Sequence, residues 1–136
     1  MSLDRHSTHP GYLLGRLFAE LENAQRGALG DQINATMRDR YYGAASATPA
    51  SVFPMLLRNA QHHLSNMRKK DKGGLAYRVE QEIGIIIDGL GDTFPRNLRI
   101  EEQGRFAIGY YHQSRARFAK SDNVATQKEP AQGEEA

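Results

Sequence analysis

Apolar residues recur along this chain at helical spacing in five separate stretches. In the first, Leu13, Leu14, Leu17, Phe18 and Leu21 fall on one face. The spacing predicts a helix from about Pro10 to Gln25. Proline suits a first turn, Ser7, Thr8 or His9 supplies a cap, and Gly27 and Gly30 end it. Asp31 then caps a short second helix, roughly 32–42, carrying Ile33 and Met37 inward. The segment from Gly43 to Ser51 breaks the pattern.

The third helix is the clearest. Val52, Phe53, Leu56, Leu57, Ala60, Leu64 and Met67 lie within about 140° at roughly 100° per residue. Ser51 as the cap places Pro54 in the first turn, where a missing N–H is tolerated. Asp71–Gly74 is a turn. A fourth helix, about 75–90, carries Leu75, Ala76, Val79, Ile83, Ile86, Ile87 and Leu90. The run Ile83–Ile87 reads as a strand on β-propensity alone, but the longer period favours a helix. Gly91 and Pro95 punctuate the exit. The fifth helix, about 100–119, turns Phe106, Ala107, Tyr110, Tyr111, Ser114 and Phe118 inward.

These elements make an all-α fold, a compact bundle of about five helices with short connections. Residues 121–136 are polar and acidic with no apolar period, and cannot bury enough surface to offset chain entropy. The expected organisation is a helical bundle over 1–120 and a disordered acidic tail over 121–136.

Composition narrows the class. A chain of 136 residues suits one core, and buries roughly two-thirds of its unfolded surface on folding. There is no cysteine, which excludes a disulfide scaffold, a thiolate zinc site and a cysteine nucleophile. No apolar run approaches the ~18 residues of a membrane span. The first residues hold no hydrophobic stretch of the secretory kind, so a cytoplasmic protein is expected.

The net charge is only +2, but it is unevenly spread. Residues 121–136 hold Lys128 against Asp122, Glu129, Glu134 and Glu135, a net of −3, which leaves +5 for residues 1–120. Residues 33–78 carry eight Lys or Arg against two acids, and 103–120 carry Arg105, Arg115, Arg117 and Lys120 with no acid. Positive charge concentrated in this way attracts polyanions. The plainer reading is a solvated face.

Candidate chemistry mostly fails. His62 and His63 are adjacent, so on a helix they point about 100° apart and cannot clasp one ion. His6, His9 and His112 are scattered, and no HExxH motif occurs. Asp39 sits between Arg38 and Arg40, where a local ion pair is its ordinary role. Glu80, Glu82, Asp88 and Asp92 read as the polar face of an amphipathic helix. No phosphate-loop, dinucleotide or nucleophile-elbow motif appears. A non-enzyme without metal or cofactor is expected.

What survives is basic and aromatic. Arg58, His62, Ser65 and Lys69 form one stripe opposite the apolar face of the third helix. Arg68, Lys69, Lys70 and Lys72 cluster at its end, more cations than the helix dipole asks for. Arg105 and His112 share the outer face of the fifth helix, with Arg115 flanking. These nine residues other than Ser65 are the candidate nucleic-acid contacts. Tyr41-Tyr42 and Tyr110-Tyr111 are adjacent aromatic pairs that could stack on unpaired bases. The commoner arrangement puts one tyrosine of each pair in the core and leaves the other half-exposed.

Three stretches carry a family resemblance: GYLLGRLFAELENAQ at 11–25, INATMRDRYYGAASATPASVFPMLLRNAQHHL at 33–64, and EEQGRFAIGYYHQSRARF at 101–118. Together they resemble the C-terminal helical domain of the large subunit of type I-C CRISPR interference complexes, a domain that also resembles a free small subunit. The resemblance spans about residues 9–119; the loop at 68–78 and the acidic tail add nothing to it. It implies a non-catalytic all-α small subunit lining an RNA-guided complex in more than one copy, beside backbone and large subunits with their guide RNA. It also implies contact with opened target DNA, especially the displaced single strand. The opening residues suit a separately translated small subunit, and a fragment of the large subunit would look the same. A helical adaptor that binds only protein partners is the other class the sequence allows.

Overall fold

Pro10 begins the first helix, and glycine ends it. In the computed structural model, which describes residues 3–30 and 37–128 and side chains as far as Ala116, α1 spans Pro10–Leu29. It runs through Gly27 and stops at Gly30, whose φ of 62° is the left-handed region that glycine enters without strain. The N-cap is His9, with no side-chain capping bond. Then follow α2 (Met37–Ala47), α3 (Pro49–Lys69), α4 (Gly73–Leu90) and α5 (Ile100–Lys128). All five expected helices are present, and no strand occurs among the described residues.

The boundaries differ where sequence signals competed. The second helix extends through Ala47, so the expected break at Gly43–Ser51 shrinks to Thr48. Ala45 and Ser46 are buried there, because small side chains let this turn pack closely. The proposed Asp31 cap and the inward Ile33 lie outside the described residues. In α3 the helix starts at Pro49, not after Ser51, because proline at the first position has its φ already set. Pro54 therefore sits inside the helix, and the Ala50 carbonyl lacks its usual i+4 donor. α5 is helical through Lys128, past the expected end near 119. Residues 129–136, within the stretch expected to be an unstructured tail, lie outside the described residues, as does the side chain of Phe118.

Helix α1 is the axis of the bundle. Every residue from Gly11 to Ala24 is buried, and α1 packs against all four other helices. Leu14, Leu17, Phe18 and Leu21 meet Phe53, Leu56 and Leu64 of α3, Val79 and Ile86 of α4, and Phe106 of α5 in one core. Phe18 is the hub of an aromatic cluster, with Tyr42, Phe53, Phe106 and Tyr110 all within 6.4 Å between ring centroids. Such tilted and edge-on pairs add to the burial energy of each ring.

The α1–α5 seam is set by glycines. A Cβ on Gly11 or Gly15 would run into the carbonyls of Glu102 or Phe106, and one on Gly109 would meet the Tyr12 carbonyl. Backbone therefore touches backbone. This close approach also draws in the polar side of α1: Arg16, Glu20, Glu22 and Asn23 are buried. The same seam fixes the inner face of α5 as Phe106, Gly109, His112 and Gln113, with Tyr110 beside it, and turns Ala107 and Tyr111 outward.

Candidate nucleic-acid interface

Helix α3 presents the stripe. Its apolar positions Phe53, Leu56, Ala60, Leu64 and Met67 are buried against α1, which forces the opposite positions outward. Arg58, Gln61, His62 and Ser65 are exposed and together line a shallow open depression. Lys69 is exposed one turn further on. Among the described residues no ion pair engages Arg58 or Lys69.

The cation cluster divides. The α3 helix ends in a Schellman turn: Asp71 has φ 64°, and the Lys72 N–H donates to the Met67 carbonyl at 2.8 Å. That turn aims two lysines back at the end of α1. Lys70 Nζ donates to the Ala28 carbonyl at 3.0 Å, and Lys72 Nζ to the Gly27 carbonyl at 2.9 Å. Both carbonyls belong to the last turn of α1, where orphan acceptors and the dipole favour cations. The number of cations, which looked excessive for one helix end, serves two. Arg68 pairs with Glu80 of α4.

On α5, Arg105 pairs with Glu102, one turn back. Arg115 lies 5.5 Å from the Tyr111 ring centroid and donates to the Tyr111 hydroxyl at 2.8 Å, so an exposed aromatic carries a cation on its face. His112 corrects the sequence reading: expected on the outer face, it is buried, with Nδ1 2.7 Å from the Tyr12 hydroxyl. Its place follows from the glycine seam, which rotates 109 and 112–113 toward α1.

Behind His112 lies a buried polar network. Arg16 Nε donates to Gln113 Oε1 at 2.8 Å, and Gln113 Nε2 donates to Glu20 at 2.6 Å and to Glu82 at 3.2 Å. Arg5 reaches both Glu82 oxygens at 3.1 Å. Burial raises the Glu20 carboxyl above its ordinary pKa. Burial also acts upward on Glu82, but the Gln113 hydrogen bond and the Arg5 and Arg16 charges outweigh it and hold that carboxyl low. Two acids a few ångströms from one amide thus differ in proton affinity because Glu20 is the more deeply buried, while Glu82 is in ion pairs with Arg5 and Arg16. The network reaches solvent at Arg5 and serves to seat α5 and α4 on α1.

The tyrosine pairs follow the commoner arrangement. Tyr42 and Tyr110 pack into the aromatic cluster, and Tyr111 is exposed. Tyr41 is half-buried and lines a cavity between α1, α2 and α3 that sequence reasoning missed. Leu21, Met37 and Leu56 are its apolar walls, while Gln25, Asn59 and His63 bring neutral polar groups and Arg40 a cation. Only Tyr41 and the pair His62-His63 had marked this neighbourhood beforehand. As the adjacent spacing required, His62 faces solvent and His63 turns partly inward.

Among the described residues no group of three or more His, Asp or Glu could hold a metal ion, and no helix is long and apolar enough to cross a membrane. Comparison with curated proteins finds no match. The sequence profile of CRISPR-associated protein (Cas_Csd1) matches residues 1–118, which takes in α1 to α4, the glycine seam and the exposed stripe of α3, and the chain belongs to that family.

Proposed function

We propose that this CRISPR-associated chain is the non-catalytic helical small subunit of a type I-C RNA-guided complex, or the equivalent domain of its large subunit. In this reading it holds nucleic-acid backbone without sequence preference and stabilises opened target DNA. The observation that carries the reading is the α3 surface, where Arg58, His62 and Lys69 stand exposed along one side of a rigid helix. Opening a duplex against a guide is nearly balanced in energy, so a few phosphate contacts are enough to tip it. Phosphate contacts position a strand without reading its bases. The side chains of Arg16, Glu20, Glu82 and Gln113 are joined in hydrogen bonds between helices, which fits a role without catalysis; incubation with DNA or RNA and Mg²⁺ or Mn²⁺ should leave the nucleic acid intact.

The deciding experiment is salt-dependent binding of single-stranded DNA by the full chain. Each phosphate contact should contribute about 0.7 to the slope of log affinity against log salt. Arg58→Glu with Lys69→Glu should flatten that slope and weaken binding to all sequences alike. An unchanged slope would reduce the stripe to a solvated face. The exposed apolar residues Ile100, Ile108 and Tyr111 on α5 favour a second reading, a helical adaptor for protein partners. In that case the double variant would fail to join its complex while the free chain bound no DNA.

A further inference from the structure

The cavity between α1, α2 and α3 measures about 130 Å³. A cavity of about 150 Å³ holds a benzene ring, so this one is on the scale of a single six-membered ring and small for a fused bicycle. Its lining is mixed in the way a heterocycle requires. Leu21, Met37 and Leu56 are buried and apolar, and Tyr41 offers an aromatic ring. Gln25 Oε1 has no hydrogen-bond partner and almost no accessible surface, so a turn of its amide toward the cavity is what would let water or a ligand N–H satisfy it. Asn59 is exposed at the opening and offers both an amide donor and an acceptor. Burial and the neighbouring His62 lower the proton affinity of His63, so its imidazole is neutral at pH 7 and also presents one donor and one acceptor.

The position of the cavity narrows the ligand. Asn59 and His63 each follow, by one residue on α3, the exposed Arg58 and His62. One residue is about 100° of rotation, so the opening lies alongside the basic stripe. A strand whose phosphates run on Arg58 and His62 would carry its bases to the side where Asn59 and His63 stand. We propose that this cavity is a base pocket, which takes one unstacked pyrimidine of a single strand tracked by the α3 stripe, with Gln25, Asn59 and His63 meeting its polar edge. The inference rests on the backbone-binding reading and adds to it a preference for single-ring bases at one position.

The test compares the full chain with oligodeoxycytidylate and with an abasic oligonucleotide of equal length and charge. The pocket should make oligodeoxycytidylate bind roughly tenfold more tightly, the scale of one stacked and hydrogen-bonded base. Asn59→Trp, a change at an exposed position, should fill the opening and erase that difference while leaving affinity for the abasic strand unchanged. Equal affinities in the parent, or a preference that survives Asn59→Trp, would overturn the pocket and leave the backbone reading standing. If neither strand binds, the backbone reading falls, and a titration with cytidine decides the pocket alone. Displacement of the His63 imidazole signals by NMR, absent in Asn59→Trp, would uphold it, and unmoved signals would overturn it.

Discussion

Lys72 Nζ donates to the Gly27 carbonyl at 2.9 Å and so ties the start of α4 to the end of α1 across 45 residues of sequence. Lys70 does the same to Ala28. The two lysines are therefore structural as well as cationic, unlike Arg58 and Lys69. Replacing both with methionine keeps the aliphatic stems and removes the donors. A loss of about 1–2 kcal/mol is expected, since two charge-assisted bonds to a helix terminus are removed. Thermal melts followed by circular dichroism should show a drop of several degrees. Arg58→Met and Lys69→Met should stay within about 0.5 kcal/mol of the parent. A double lysine variant as stable as the parent would mean that water replaces both donors without loss.

The seam between α1 and α5 makes a sharper demand. Gly15 faces the Phe106 carbonyl and Gly109 faces the Tyr12 carbonyl, so an added methyl group meets backbone rather than a side chain that could swing aside. Helix propensity alone favours alanine over glycine by about 1 kcal/mol. Here overpacking should reverse that sign and cost about 3 kcal/mol or more, because the two helices must separate. Gly104, whose surroundings are open, supplies the control, and Gly104→Ala should stabilise slightly. Denaturant titration of the three variants reads both signs in one series.

That contrast explains what the sequence disclosed. The five helices and most inward apolar positions were legible, because a period of 3.6 with caps and glycines marks them directly. Leu64 is an instance: read as core from its spacing, it is fully buried. The side of α5 was misread by one position. Tyr111 looked like core and His112 like surface, and the reverse holds because Gly109 brings the backbones together and Tyr12 offers His112 a partner. Contacts 100 residues apart leave no periodic trace. The stripe on α3 was legible for the same reason as the core, as the complement of a clear apolar face. The cavity beside it was not, since Gln25, Tyr41 and Asn59 come from three helices and share no spacing.

Tyr110 should give the fold a pH limit in the alkaline range. Burial, and its hydrogen bond to Glu22 at 2.6 Å, push its hydroxyl up to about 12. In the unfolded chain a tyrosine ionises near 10, so between about pH 10 and 12 the unfolded state releases a proton that the folded state keeps. The contribution is fully present below pH 10 and is lost as pH rises toward 12. It should amount to about 1–2 kcal/mol, given the partial exposure of the ring. Tyr110→Phe should cost about 1 kcal/mol at pH 7 and lose stability less steeply than the parent above pH 10. Urea midpoints at pH 8, 10 and 11 compare the two, and parallel curves would show that Tyr110 does not set the alkaline limit.

Pro54 offers a change in the stabilising direction. It is exposed within α3, five residues after the helix starts at Pro49, and it brings no N–H to the Ala50 carbonyl. In a helix interior, proline is disfavoured by about 3 kcal/mol relative to alanine. Proline also restricts the unfolded chain, which returns up to about 1 kcal/mol. The position is only in the second turn, where the strain is shared with a helix end, so Pro54→Ala should stabilise by about 1–2 kcal/mol. Because the side chain faces solvent one position beyond the buried Phe53, the core should be untouched, and DNA affinity should stay at the parent level. A higher melting temperature with an unchanged salt slope is the expected pair of results. A fall in stability would show that the ring at 54 directs the course of α3 over α1, and the stripe from Arg58 onward would then be expected to shift and lose affinity with it.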